Sequence, residues 1–206
     1  MLGDASYVNG FGEKYTISKF RYYVSHVALS DGSHQYGEKD TYYLIDAGLR
    51  QSKVITLPVT PGVYQSLQFL LGVDSLHNVS GAQSDDLDPA KDMFWTWNSG
   101  YVMVKLEGQS PSSNRVNHSF EFHIGGFSGP FNVLKEIHLN LPETFRHLEA
   151  GKTYDIVIGA DVNEWWQGAS DVRLSQAPVI TTPSANARKI SDNYANMFRI
   201  IKVITE

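Results

Sequence analysis

The chain has 206 residues, 42% hydrophobic and 12% aromatic, with no cysteine and a formal net charge of −5. That length fits one domain over residues 1–206 and supplies enough apolar material for a core. The acidic balance excludes nucleic acid as a partner, the lack of cysteine excludes thiolate metal sites and disulfides, and no stretch reaches the ~18 apolar residues of a membrane-spanning helix.

At the start, Met1-Leu2 run straight into GDASYVNG. This reads as an interior loop left after removal of an export leader, so a periplasmic or cell-surface location is expected. Strand signals then dominate. Residues 20–29 (FRYYVSHVAL) are rich in β-branched and aromatic types, with Phe20, Tyr22, Val24 and His26 on one face. Asp31-Gly32 marks a turn. Strands are expected at 41–46 (TYYLID), at 53–57 (KVITL) and, after Thr60-Pro61-Gly62, at 63–73, where Val63, Leu67, Phe69 and Leu71 form an apolar face.

Residues 74–92 lack periodicity and read as a long loop, a kind that is functional or disordered more often than not. Strands resume at 93–107 and 116–124, joined by QSPSSN. Residues 131–141 alternate, with Val133, Ile137, Leu139 and Leu141 pointing one way. Residues 152–161 follow, with Tyr154, Ile156 and Ile158 inward. Only 162–168 (VNEWWQG, one turn) and 184–198 look helical, the latter with Ser184 as N-cap; 199–205 reads as a closing strand. The fold class predicted is all-β: an immunoglobulin-like antiparallel β-sandwich with long loops and a short helix near the C-terminus.

The chemistry-bearing residues lie between Gly72 and Gly126. On 93–107, Val102, Val104 and Leu106 share one face. Trp95, Trp97, Tyr101 and Met103 share the other, provided that no bulge intervenes at Asn98-Ser99-Gly100. On 116–124, Glu121 and His123 point the same way, about 7 Å apart. Antiparallel pairing of the two strands brings His123 to the Trp95/Trp97 end. Paired tryptophans usually pack a core, a lone strand histidine is usually a hydrogen-bonded structural residue, and Asp85-Asp86-Leu87-Asp88 reads as a solvated loop, with calcium as the alternative. That run lacks the spacing of an EF-hand. No nucleophile elbow, His-Glu-x-x-His, P-loop or Gly-x-Gly-x-x-Gly is present, and a non-enzyme is expected.

The block GVDSLHNVSGAQSDDLDPAKDMFWTWNSGYVMVKLEG followed by FEFHIGG resembles the MbnP-like copper-binding domain, its most specific piece being residues 93–101 (MFWTWNSGY). KFRYYVSHVAL and ISDNYANMF resemble the branch of that family found in Bacteroidetes. The resemblance implies an exported all-β protein engaged in copper handling. It also implies copper held by two histidines and a kynurenine made from tryptophan, with a dihaem peroxidase-like partner installing it. Carried onto this chain, Trp95 and Trp97 match the motif tryptophans, and His123 matches the later histidine. His77 lies in the loop of the earlier one, where the family pattern reads Asn-His and this chain reads His77-Asn78. Met103 is a soft donor that could reach the same face. A second reading is a surface interaction module that binds carbohydrate or a protein through Trp165 and Trp166, whose competing role is a hydrophobic plug.

Overall fold

The computed structural model describes residues 2–3, 5–81, 83–96 and 99–205. Its strands are β1 (Ser6–Val8), β2 (Lys14–Ser30), β3 (Gln35–Gly37), β4 (Tyr42–Asp46), β5 (Gly62–Val63), β6 (Ser66–Leu71), β7 (Phe94–Thr96), β8 (Gly100–Gln109), β9 (Ser119–Gly125), β10 (Lys135–Asn140), β11 (His147–Leu148), β12 (Tyr154–Ala160), β13 (Val179–Ile180) and β14 (Phe198–Thr205). The α-helices are α1 (Ser75–Val79) and α2 (Ala185–Tyr194). The class is the predicted one: mostly β, with curled sheets and one short helix near the C-terminus.

The long strand β2 organises the main sheet, whose order is β10-β6-β2-β8-β9-β13, with β1, β3 and β4 also on β2 and β7 on β8. Arg21 pairs with both Asp46 of β4 and Lys105 of β8, and Val24 pairs with both Tyr43 of β4 and Leu71 of β6. A strand residue has only two edges, so β8 and β6 follow one another along the same edge of β2, opposite β4. They meet at Tyr23, whose carbonyl accepts the Gly72 amide at 2.9 Å.

Asn78 clasps that junction. Its side-chain amide donates to the carbonyls of Val73 (2.6 Å) and Asp74 (2.9 Å), and its side-chain oxygen accepts the Tyr101 amide at 2.8 Å. It is buried, so each of these bonds replaces one that water cannot supply. The clasp fixes the loop after β6 over the start of β8.

An aromatic core fills the interior. Trp165 packs against Phe20, Phe122 and Tyr194, and Trp166 against Tyr15, Phe120 and Phe122, at centroid distances of 5.1–6.4 Å. Ser184 caps α2 by accepting the Ala187 amide at 3.2 Å, as its sequence predicts.

Several expectations need correction. The strand expected at 53–57 does not form: Lys53 ends a 3-10 turn and residues 54–57 alternate between exposed and half-buried but join no ladder, with Pro58 and Pro61 removing backbone donors just beyond. Residues 116–118 form a 3-10 turn, and the strand starts only at Ser119. A register shift between Val157 and Ile158 turns Ile158 outward. Residues 93–107 are two strands, β7 and β8, folded back on one another and not one continuous strand. In β8, residues 101–106 are all buried because both faces are covered, so alternation carries no information about facing there.

Candidate functional site

Two histidine-centred clusters stand out. The first gathers side chains from three elements. Asp74 begins α1 as its N-cap, accepting the His77 amide at 3.1 Å. Its other oxygen accepts the Tyr42 hydroxyl and lies 3.1 Å from His77 Nδ1. The Tyr42 hydroxyl is also 2.6 Å from His77 Nδ1, with the two rings 4.6 Å apart. His26 closes the group, its Nε2 lying 3.4 Å from both the Tyr42 hydroxyl and Asp74 Oδ2.

His26 is there because β2 bulges. The pairing with β6 skips from Ser25 to Ala28, and His26 takes a left-handed φ of 53°. Such bulges re-aim side chains, and a non-glycine residue in this region is uncommon.

Charge sets this cluster apart. Among the described residues no Lys or Arg pairs with Asp74; its ion-pair partners are His26 and His77. Burial alone would raise the Asp74 carboxyl. Hydrogen bonds from Tyr42 and from the backbone and ring of His77 outweigh it and hold the group below its ordinary value. Burial pushes the Tyr42 phenol well up, and the neighbouring Asp74 adds to the shift.

The second cluster lies on the outer face of β8 and β9. His123 sits opposite Lys105, and its Nε2 is 2.8 Å from Glu107 Oε1. Glu107 also pairs with Lys19 at 3.3 Å, and Lys19 with Asp92 at 3.4 Å. Lys105, only 3% exposed, pairs with Asp92 Oδ2 at 3.0 Å and donates to the Asp92 carbonyl. The hydrogen bond to His123, assisted by Lys19, holds the Glu107 carboxyl low against the opposing effect of burial.

The remaining candidates fall into place around these clusters. Trp95 is half-buried, and its ring covers Gly125, two residues beyond His123; a Cβ at Gly125 would lie 2.6 Å from the indole. The antiparallel pairing of β8 with β9 that the sequence suggests is present, and it sets Gly125, not His123, against the Trp95 ring. Trp97 lies outside the described residues. Met103 is fully buried and its sulfur accepts the Val73 amide at 3.2 Å, so it packs the core and is not open to a metal.

Of the two roles weighed for Trp165 and Trp166, the surface platform fails and the hydrophobic plug holds. Trp165 and Trp166 are both 0% exposed, so neither offers a face to a sugar or a protein; they are the core plug. In the acidic run, Asp86 accepts the Leu44 amide and pairs with Lys91, while Asp88 accepts the Ala90 amide. These carboxylates turn to separate neighbours and form no calcium cage. Among the described residues no group of three or more His, Asp or Glu side chains could hold a metal ion as they stand. In the His77 cluster the donors touch one another through the Tyr42 hydroxyl instead. No hydrogen bond, ion pair or ring contact links the His77 cluster to the His123 cluster among the described residues.

The sequence profile of the MbnP family matches residues 1–184. The chain belongs to the MbnP family. Among solved structures, MbnP from Methylosinus trichosporium is similar at 14% sequence identity, with a TM-score of 0.53 over 96% of this chain and 90% of that one. At that identity the likeness concerns the fold. A comparison with curated proteins finds no match. Among the described residues, no helix is long and apolar enough to cross a membrane.

Sequence reasoning placed His77 and His123 but missed His26, Tyr42 and Asp74. Alternation along β2 put His26 in an apolar stripe, and only the bulge moves it to the cluster. The cap position of Asp74, three residues before His77, was the one local signal available.

Proposed function

We propose that this protein is an exported, non-catalytic copper-binding protein of the MbnP type, with His77 anchoring its metal site. One observation carries the reading: His77 sits against an aspartate that no Lys or Arg pairs with among the described residues, in a cluster of nitrogen and oxygen donors. Imidazole suits copper, and an uncompensated carboxylate favours an added cation. His123 is less suited as an anchor, because Lys19 and Lys105 already satisfy the carboxylates around it. Membership of the MbnP family supports the copper reading.

The finer reading adds the tryptophan chemistry. Trp95, half-buried beside Gly125, or Trp97 is the residue oxidised to kynurenine, with a dihaem peroxidase-like protein as the partner that oxidises it. Two equivalents of peroxide, used through that partner, break the indole C2–C3 bond and leave one oxygen on each carbon, giving N-formylkynurenine and two waters; water then hydrolyses the formyl group off as formate. Net, the residue gains one oxygen and loses one carbon, about 4 Da.

The experiment is intact mass and metal analysis of the protein purified from its own host. Stoichiometric copper is expected, with a mass about 4 Da above the sequence mass mapping to the peptide containing Trp95 and Trp97. Copper without the mass change would remove the kynurenine and keep the copper site. An unmodified mass, no copper and no uptake on titration would contradict the function.

A further inference from the structure

A cavity of about 290 Å³ opens where the start of β2 meets the end of β12, and it shares no residue with either histidine cluster. Ile17 and Phe20 of β2 give it apolar walls, and both are buried. Tyr7, 37% exposed, forms an outer wall, its ring stacked on that of Tyr15 at 5.4 Å. Asp161 and Asn163 add polar atoms. They belong to the turn after β12, the same turn that sends Trp165 and Trp166 into the core. The Tyr15 hydroxyl donates to Asn163 Oδ1 at 2.8 Å. Asp161 accepts the Asn163 backbone amide at 3.1 Å and pairs with Arg199 at 3.2 Å. Among the described residues the side-chain NH2 of Asn163 has no hydrogen-bond partner.

Behind Tyr15 lies a second unmet polar group. The Trp166 indole N–H is buried and has no hydrogen-bond partner among the described residues. It faces the Tyr15 hydroxyl without reaching hydrogen-bond geometry, with the two rings 5.1 Å apart. Burial pushes the Tyr15 phenol up to about 12. Tyr15 therefore stays a neutral hydroxyl, able to donate to Asn163 and to accept from Trp166 at once. An unpaired buried N–H is costly, so a contact that moves Tyr15 toward Trp166 gains a hydrogen bond.

Shape and polar set together select a ligand class. The volume, at the lower end for ligand pockets, suits a single ring with a small substituent. Aromatic and aliphatic walls favour an apolar ring. One hydroxyl on that ring can donate to the Asp161 carboxylate and accept from the Asn163 amide. A sugar ring carries a hydroxyl on nearly every carbon, and these walls leave most of them unpaired.

We propose that this cavity binds a small hydroxylated aromatic ring, of which phenol is the simplest, with the ring against Tyr7, Tyr15 and Phe20 and its hydroxyl between Asp161 and Asn163. Seating the ring presses Tyr15 toward Trp166 and completes the indole hydrogen bond.

Phenol titrated into the isotope-labelled full chain, followed by NMR of the indole N–H groups, tests this. The chain has four tryptophans, and Trp166→Phe assigns the resonance of Trp166. Phenol is expected to shift that resonance saturably and to leave in place that of Trp165, whose N–H already donates to Met197 Sδ at 3.3 Å. Asn163→Ala is expected to weaken binding on the order of 10-fold. Ala160→Leu, which fills the cavity that Ala160 lines, is expected to abolish it. Circular dichroism confirms that each variant is folded. No saturable shift of Trp166 in the wild type, or binding unchanged in both variants, would overturn the site. A shift with glucose equal to that with phenol would overturn the ligand class.

Discussion

The two histidine clusters use the same pair, an imidazole against a carboxylate, and place it in opposite electrostatic surroundings. At His77 the carboxylate is Asp74, which has no Lys or Arg partner among the described residues and is shared by Tyr42 and His26. At His123 the carboxylate is Glu107, shared with Lys19, and a second acid, Asp92, faces Lys19 and Lys105. The second arrangement is neutralised internally and ties the 85–93 loop to the sheet. The first keeps a negative charge that a cation can answer. A histidine–carboxylate contact therefore does not by itself mark a metal site; what else touches the carboxylate decides.

The difference can be broken most sharply at the scaffold. Asn78→Ala leaves the buried Tyr101 amide without its acceptor and frees the loop that carries His77. We expect it to cost about 2–3 kcal/mol, read by urea denaturation. A loss under about 0.5 kcal/mol would mean that Asn78 does not hold the junction.

The His123 side is tested by an asymmetry. Asp92→Asn leaves Lys105 buried with an incomplete partner and is expected to cost about 1–2 kcal/mol; the value is limited because Asp92 is itself exposed. Lys105→Met replaces the cation by an apolar chain of similar shape and frees an aspartate that water can solvate, so it is expected to cost less, about 1 kcal/mol or under. The reverse order in thermal denaturation would contradict a network organised around the buried lysine.

Acid titration probes both clusters. Asp74 and Glu107 are held below their ordinary pKa values in the folded protein. A depressed carboxylate contributes stability that is present above its unfolded value and is lost as the pH falls through its folded value. Stability should therefore fall below about pH 4, where unfolded carboxylates take up protons. Asp74→Asn and Glu107→Gln should each flatten this acid limb, measured as unfolding free energy against pH. An acid limb as steep in both variants as in the wild type would remove the two hydrogen-bonded carboxylates from the account.

The smallest effect is expected at His26. His26→Asn keeps the left-handed backbone and should change stability by less than about 0.5 kcal/mol. A large loss would make His26 a structural residue of the bulge.

Much of the fold was legible from alternation. Strands β2, β4, β6, β9 and β10 fall where apolar and polar residues take turns, and Ser184 marks the start of α2. Alternation failed where its physical premise failed. Strand β8 is covered on both faces, so the facing assigned to Tyr101 and Met103 had no basis, and the expected single strand proved to be two, β7 and β8, paired antiparallel. Residues 54–57 alternate but join no strand ladder. Trp165 and Trp166, in a polar turn, left a surface platform and a core plug both open, and the turn folds both rings into the core.

The site was legible in part for the same reason. The place of His123 on β9, two residues before the Gly125 that Trp95 covers, follows from antiparallel pairing. Its carboxylate partner is Glu107 on the neighbouring strand, which is close across the sheet and distant in sequence, and not Glu121 on its own strand. His26 reaches Tyr42 and Asp74 only through a bulge that breaks the strand period. Clusters assembled across elements leave little trace in a local pattern.

The most direct measurement is copper affinity in the wild type, His77→Ala and His123→Ala, each checked for native circular dichroism. The account predicts that His77→Ala abolishes stoichiometric uptake and that His123→Ala binds like the wild type. Loss of uptake in His123→Ala, with His77→Ala unaffected, would contradict it and move the metal to the other cluster.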